Sequence, residues 1–222
     1  VMIYRKDIFS DLKLSVPETW DNVCKKTLPV LLRNNMEFYL PLSAGYSMYP
    51  TLLYQLGGKL YNDDLTESML TSAVSYNAFS DLCNFVKVYG FATNASFFNR
   101  FRSGEMPAGI ADMTTYMQFA TAAPELTGRW GIATIPGYRQ QDGSINRTHL
   151  SAAGTSVMMI DNGSGKGDKS WEFIKWWMSE SVQLKFGYAI EAQMGTAARW
   201  NSANTNSFFG MAWNVYDREI IK

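Results

Sequence analysis

Histidine and cysteine are nearly absent from this sequence. Among 222 residues it has one histidine, His149, and two cysteines, Cys24 and Cys83. Two cysteines are too few for a disulfide framework or a zinc knuckle, and they form either one bridge or two buried thiols. A single histidine excludes most metal sites and disfavours a catalytic triad, since no serine or cysteine nucleophile setting surrounds it. We therefore expect no metal and no cofactor.

An excess of charge of either sign is also missing. Twenty lysines and arginines balance twenty aspartates and glutamates. Because nucleic-acid binders normally need a basic surface to neutralise phosphates, this balance argues against a nucleic-acid partner. Charged residues make up only 18% of the chain, a composition typical of neither a disordered segment nor a charged coiled coil.

No stretch has the composition of a membrane-spanning helix. The longest uncharged run, 38–58, is long enough to cross a bilayer, but it contains two prolines and three glycines. The first residues, Val1–Tyr4, form a strand-like run and not a signal peptide, so we expect a piece of a longer protein. Its localisation has to be inferred from other features.

Aromatic residues are abundant, at 14% of the chain, and short strand-like and helix-like patterns alternate along it. This alternation predicts an α/β fold. The predicted strands are Val1–Tyr4, Met36–Leu40, Ala108–Ala111, Trp130–Ile135 and Ser156–Ile160. The clearest predicted helices are Tyr49–Leu56, Ala78–Tyr89 and Ser170–Phe186.

Five stretches, in order, resemble the extracellular solute-binding proteins of bacterial ABC importers, in particular the sugar-binding family that includes maltose-binding protein. They are Met2–Phe9 at the strand-helix entry, Val16–Asp21, the Trp-Gly strand Trp130–Gly137, the helix Trp171–Trp177 and the loop Gly195–Arg199. Two positions depart from the family pattern. Asp112–Tyr116 stands where a tryptophan is usual, and Ala197 stands where a proline is usual.

The resemblance implies an α/β fold like the type II periplasmic binding proteins. The chain would be mostly one lobe of that two-lobed fold, with many helices around a small mixed sheet. Residues 1–150 are then expected in the C-terminal lobe, residues 151–188 in or facing the N-terminal lobe, and residues 189–222 back in the C-terminal lobe. Without its usual sheet, helix Trp171–Met178 would expose a tryptophan face.

The function implied by the resemblance is capture of a solute, without catalysis, for an ABC transporter. The solute would be a sugar or oligosaccharide, and the protein partners would be the transporter's permease subunits. The implied location is extracellular, either periplasmic or as a cell-surface lipoprotein, touching the membrane only through a lipid anchor outside this chain. A neutral ligand also suits a chain of zero net charge.

Candidate ligand-binding residues lie where predicted strands and loops meet, because α/β sheets bind ligands beyond their strand ends. They are Tyr39, Ser43, Tyr46, Asp112, Thr114, Tyr116, Gly154, Thr155, Arg199 and Trp200. Most of them lie at or after the end of a strand, whereas Gly154 and Thr155 precede the strand Ser156–Ile160, and Arg199 and Trp200 belong to the loop that re-enters the C-terminal lobe. For four of these residues a structural role is an alternative to ligand binding. Tyr39 and Tyr116 could be core residues, Asp112 could cap the following helix, and Arg199 could hold an ion pair.

Two other functions stay open on the sequence. The same fold could bind a peptide or another neutral solute, since uncharged, tyrosine-rich segments suit such ligands as well. A glycoside-cleaving enzyme would need two carboxyl groups about 5–10 Å apart across a cleft. Asp112 and Glu191 are the one pair worth testing for that role.

Overall fold

The structure is a computed structural model. It describes residues 1–42, 48–149, 155–160, 163 and 165–221. None of the helices among these residues has both the length and the apolar composition that a bilayer span requires. The same residues hold no group of three histidine, cysteine or carboxylate side chains placed to bind a metal ion.

A four-stranded mixed sheet organises the chain. Its strands are β1 (Met2–Arg5), β2 (Phe38–Tyr39), β3 (Ala108–Ile110) and β4 (Trp130–Ala133). The order is β2-β3-β1-β4, with β1 antiparallel to both neighbours and β2 parallel to β3. Strands β2, β3 and β4 therefore run in one direction, and their carboxyl ends lie at the same edge. The predicted α/β class with a small mixed sheet is confirmed.

Helices surround this sheet. In the described part of the chain they are α1 (Lys6–Asp11), α2 (Trp20–Asn22), α3 (Leu28–Arg33), α4 (Met48–Gln55), α5 (Ala73–Lys87), α6 (Phe97–Ser103), α7 (Met113–Ala122), α8 (Gly167–Trp177), α9 (Glu180–Met194), α10 (Thr205–Gly210) and α11 (Val215–Ile221). A π-helical stretch, Val23–Thr27, joins α2 to α3. A separate hairpin pairs β5 (Tyr138–Arg139) with β6 (Ile145–Asn146).

Two hydrophobic cores lie on the two faces of the sheet. Neighbouring residues of β1 divide between them, Met2 into one core and Ile3 into the other, as the alternation of side chains along a strand requires. The first core is filled mainly from α1–α5. The second is filled from α6, α7 and the C-terminal segment, with the buried side chains Phe101, Phe119, Phe208, Met211 and Trp213 among its members.

Two sequence expectations about the region after residue 155 are wrong. Residues 155–160 belong to no strand, and each of Val157–Ile160 is about half exposed or more. β-Propensity does not make a strand without a neighbour to pair with. The predicted single helix Ser170–Phe186 is two helices, since Ser179 has an extended backbone between α8 and α9 and its hydroxyl donates to the Trp176 carbonyl.

Candidate functional site

The edge where β2 and β3 end brings together two predicted ligand residues. Tyr39 is the last residue of β2, and Asp112 follows two residues after β3. Because the two strands are parallel, both residues lie at the carboxyl edge of the sheet. Burial and the nearby Asp112 carboxylate raise the pKa of Tyr39, so the phenol stays protonated and able to donate a hydrogen bond.

A close packing arrangement holds Tyr39. Its ring stacks on Phe97 with centroids 4.8 Å apart and planes 11° from parallel. Gly109 of β3 lies opposite Tyr39, and a Cβ there would come within 2.6 Å of the Tyr39 Cβ and 2.9 Å of the Phe97 ring. The glycine thus leaves room for the ring pair, a relationship that the sequence does not display.

Asp112 has a structural role at this edge. It is the N-cap of α7, and its Oδ1 accepts a hydrogen bond of 2.8 Å from the Thr115 amide. The capping alternative raised by the sequence is therefore present in the structure. Thr114, in the first turn of α7, is exposed beside it. Among the described residues, the second carboxylate oxygen of Asp112 and the Thr114 hydroxyl make no hydrogen bond, so both can bind a ligand rich in hydroxyls.

Tyr116 is buried one turn further along α7. Its hydroxyl donates a 2.8 Å hydrogen bond to Asp217 of α11, and its ring packs edge-on against Trp130 at 5.6 Å. Burial, together with that hydrogen bond, raises the pKa of Tyr116. The structure thus places Tyr116 in the second core, close to Asp112 in sequence but occupied by its own contacts.

Arg199 follows a short 3-10 helix, Thr196–Ala198, which contacts α7, and it forms an ion pair. Its guanidinium donates to both carboxylate oxygens of Glu191, at 3.0 and 2.5 Å, and to the Ala212 carbonyl. It also lies 5.4 Å from the centre of the Trp213 ring. The hydrogen bonds from Arg199 lower the pKa of Glu191, which keeps this carboxyl ionised. Glu191 therefore belongs to a structural pair.

The remaining predicted site residues fall elsewhere. Trp200 donates from Nε1 to Gln183, at 2.7 Å, and packs edge-on against Phe186 at 4.9 Å. Thr155 is exposed and belongs to no helix or strand. Three further candidates, Ser43, Tyr46 and Gly154, lie outside the described residues.

A groove of about 500 Å³ continues from Tyr39 along the space between α6 and α7. Its aromatic wall is Tyr39, Phe97 and Phe98, and its polar lining is Ser96, Asn99, Thr115 and Gln118. Sequence analysis missed all of these except Tyr39. The available signal was the run 96–99, in which two aromatic residues lie between two polar ones at the start of a helix.

The sheet, its two helical layers and the polar strand edge define part of the type II periplasmic-binding-protein fold. The solved sugar-binding protein MalE of Xanthomonas citri matches with a TM-score of 0.68 and 20% identity, covering 95% of this chain and 55% of that one. Maltose-bound MalE3 of T. maritima matches with a TM-score of 0.62 and 14% identity, covering 99% of this chain and 55% of that one. A substrate-binding protein of Listeria monocytogenes, in complex with cycloalternan, matches with a TM-score of 0.60 and 16% identity, covering 100% of this chain and 55% of that one.

The chain belongs to the family of bacterial extracellular solute-binding proteins, whose family model matches residues 1–184. The predicted resemblance is thus confirmed. No curated protein sequence matches the chain. The chain spans about half the length of the solved structures that it matches.

Proposed function

We propose that this chain belongs to the solute-capturing component of a bacterial ABC importer, and that its solute is a sugar, an oligosaccharide or a related polyol. The observation that carries the proposal is the strand edge at Tyr39 and Asp112, built on a fold shared with proteins that bind maltose, cycloalternan and ribitol. The family itself is extracellular, which supports a periplasmic or cell-surface location.

The chemistry of this edge suits a sugar. A sugar ring has apolar C–H faces, which aromatic rings cover, and a rim of hydroxyls, which pair with Asp, Thr and Tyr side chains. Ring contacts contribute roughly 0.5–1.5 kcal/mol each beyond area burial. Each neutral hydrogen bond adds about 1 kcal/mol net, and one to a charged group about 1.5–3 kcal/mol. A few of each reach micromolar affinity, roughly −8 kcal/mol.

The predicted ligand residues divide into two roles in this proposal. Tyr39, Asp112 and Thr114 contact the solute, together with Ser43, Tyr46, Gly154 and Thr155. Tyr116, Arg199 and Trp200 keep the edge in place through the contacts that they make inside the chain. Substitutions in the second group are expected to change affinity only by lowering the stability of the folded chain.

The lobe assignment also remains a proposal. Residues 1–150 and 189–222 would form the C-terminal lobe, and residues 151–188 would belong to or face the N-terminal lobe. Supporting this, Trp171, Phe173 and Trp176 of α8 are each more than half exposed, and so is Ile160 at 83%. An exposed apolar surface of this kind suits contact with a second lobe.

Capture without chemical change is part of the proposal, since family and solved neighbours are binding proteins. Asp112 and Glu191, the pair considered for glycoside cleavage, both have structural roles, because Asp112 caps α7 and Glu191 pairs with Arg199. The permease subunits of an ABC transporter are the proposed protein partners, and any membrane contact would be through a lipid anchor.

Calorimetric titration of the full-length protein tests the proposal. The panel is maltose, maltotetraose, α-D-tagatose, ribitol, glycerophosphocholine and a neutral tripeptide. Binding of at least one sugar or polyol is expected, and Asp112→Asn, which retains the cap, is expected to weaken it by about tenfold. The matched control is Asp63→Asn, an exposed carboxylate paired with Lys59. Binding of the tripeptide but of no sugar or polyol would contradict the sugar assignment and favour peptide capture. Hydrolysis of a sugar would contradict capture without catalysis.

A further inference from the structure

We propose that the groove between α6 and α7 is a second sugar subsite, which extends the strand-edge site and selects an oligosaccharide over a single sugar ring. This inference rests on the proposed function and goes beyond it, because it assigns a site and a ligand length. Four observations support it, concerning position, shape, polarity and charge.

Position connects the groove to the strand edge. Tyr39 belongs to both, and Thr115, on the groove wall, donates its amide hydrogen to the Asp112 carboxylate. Gln118 follows one turn later on α7, so the lining continues away from Asp112 along the helix. A chain of sugar rings that begins at Asp112 can therefore continue into the groove.

The groove has the size and the aromatic content of a small-molecule site. Its volume of about 500 Å³ falls within the usual range of ligand pockets, roughly 300–1,000 Å³. The Tyr39–Phe97 stack and the partly buried Phe98 give one wall of rings. Phe98 packs against Phe119 of the second core, with centroids 5.1 Å apart. Rings that are already held by packing lose little entropy when they contact a sugar.

Uncharged hydrogen-bonding groups complete the lining of the groove. Ser96, Asn99 and Gln118 are exposed, and Thr115 is partly so. Within the part of the chain that the structure describes, the side chains of Asn99, Thr115 and Gln118 make no hydrogen bond, and neither does the Tyr39 hydroxyl. Amides and hydroxyls both donate and accept, as sugar hydroxyls do.

The charges around the groove are already paired. Arg102 lies 5.5 Å from the Phe98 ring and forms an ion pair with Glu125, while Arg100 pairs with Glu37 and Glu105. The Asp112 carboxylate close to Tyr39 disfavours an anion at the near end. A neutral ligand thus fits this groove better than a phosphorylated or acidic one.

The test compares the affinities of maltose and maltotetraose for the full-length protein and for the double variant Asn99→Ala/Gln118→Ala. Both side chains are exposed, so the variant is expected to fold normally. Loss of two hydrogen bonds should weaken the binding of maltotetraose by about tenfold and leave the affinity for maltose within about twofold of the wild-type value. Gln193→Ala, an exposed glutamine on α9, is the matched control and should change neither.

A second readout locates the contact directly. The side-chain amide NMR signals of Asn99 and Gln118 should shift with maltotetraose and stay in place with maltose. Binding of sugars or polyols with no movement of these signals, and equal affinities in the double variant, would overturn the subsite and leave the proposed function intact. Absence of binding by every sugar and polyol would overturn both proposals, and movement of the signals with the tripeptide alone would overturn the ligand class.

Discussion

The Tyr116 hydroxyl donates a hydrogen bond of 2.8 Å to the Asp217 carboxylate, across 101 residues of sequence. This bond joins α7, whose N-cap is Asp112, to the C-terminal helix α11. Helix α11 also contacts β4, so the last helix of the described chain is tied to the sheet. The strand edge therefore depends on a segment far from it in sequence.

Removal of the Tyr116 hydroxyl is expected to loosen this connection. Tyr116→Phe should lower the free energy of unfolding by about 1–2 kcal/mol, because a half-buried carboxylate loses a donor. Urea denaturation measures the change. Tyr76→Phe, at a tyrosine that is 72% exposed, is the control and should stay within about 0.5 kcal/mol. Equal midpoints for the two variants would show that the hydrogen bond contributes nothing.

The Arg199–Glu191 pair predicts a pH dependence of stability. Hydrogen bonds from Arg199 lower the pKa of Glu191 in the folded state below its ordinary value of 4.5. The resulting stabilisation is present above that value and is lost as the pH falls through the folded-state pKa. Glu191→Gln should cost about 2 kcal/mol at pH 7, because both groups are largely buried.

Urea midpoints measured between pH 7 and pH 3 test this prediction. The wild-type curve should fall more steeply below pH 5 than that of Glu191→Gln. Glu67→Gln, at an exposed position, should follow the wild type. Parallel curves for wild type and Glu191→Gln would contradict an electrostatic role for the pair.

Gly109 is expected to be intolerant of any side chain. In Gly109→Ala the new Cβ meets Tyr39 and the Phe97 ring at 2.6–2.9 Å, so the ring pair must move. Overpacking of this kind costs about 1–3 kcal/mol, and thermal denaturation should detect it. Gly167→Ala is the matched control, because a Cβ there meets nothing within 4 Å. An unchanged melting temperature for Gly109→Ala would show that Tyr39 and Phe97 can move apart without loss of stability.

Adjacent tryptophans of α8 should respond in opposite ways to truncation. Trp177 packs against Phe186 and Trp200, with centroids 5.1 and 6.5 Å away, whereas Trp176 is 54% exposed. Trp177→Ala should cost about 2–3 kcal/mol of unfolding free energy, and Trp176→Ala less than about 1 kcal/mol. Denaturation of the 222-residue chain compares the two, and a reversed order would contradict the packing of α8 on α9.

The two cysteines should differ in reactivity. Both are free thiols, Cys24 buried and Cys83 partly exposed. Burial raises the pKa of the Cys24 thiol to about 12, so almost no reactive thiolate exists at pH 8. A disulfide-exchange reagent should therefore leave Cys24 unmodified in folded Cys83→Ser and modify it in urea. Rapid reaction in the folded variant would contradict the burial.

Local patterns were enough to locate several elements of this fold. The strands at Met2–Arg5, Ala108–Ile110 and Trp130–Ala133 and the helix start after Asp112 follow from short runs of residues, because propensity and capping act over a few positions. Ser156–Ile160 has the same propensity but no partner strand in the described chain. Strand formation depends on that partner, which local sequence does not specify.

The candidate site shows the same division. Sequence placed Tyr39 and Asp112 after strands, and the parallel pairing of β2 and β3 placed them at one edge. The sequence did not distinguish Asp112 from Tyr116 and Arg199 as ligand residues. In the structure Tyr116 bonds to Asp217 and Arg199 pairs with Glu191, and these contacts form only on folding. The groove went unnoticed because its walls come from β2, α6 and α7, which are brought together only by folding.

By itself the sequence determined the α/β class, the family and the absence of any strong net charge, since these depend on composition and on ordered local motifs. Tertiary structure alone decided which tyrosine is buried, which arginine is paired and which rings and amides line one groove. The physical reason is that hydrogen bonds, ion pairs and grooves depend on distances of a few ångströms between residues far apart in sequence. Those distances are set by strand order and by the packing of two cores.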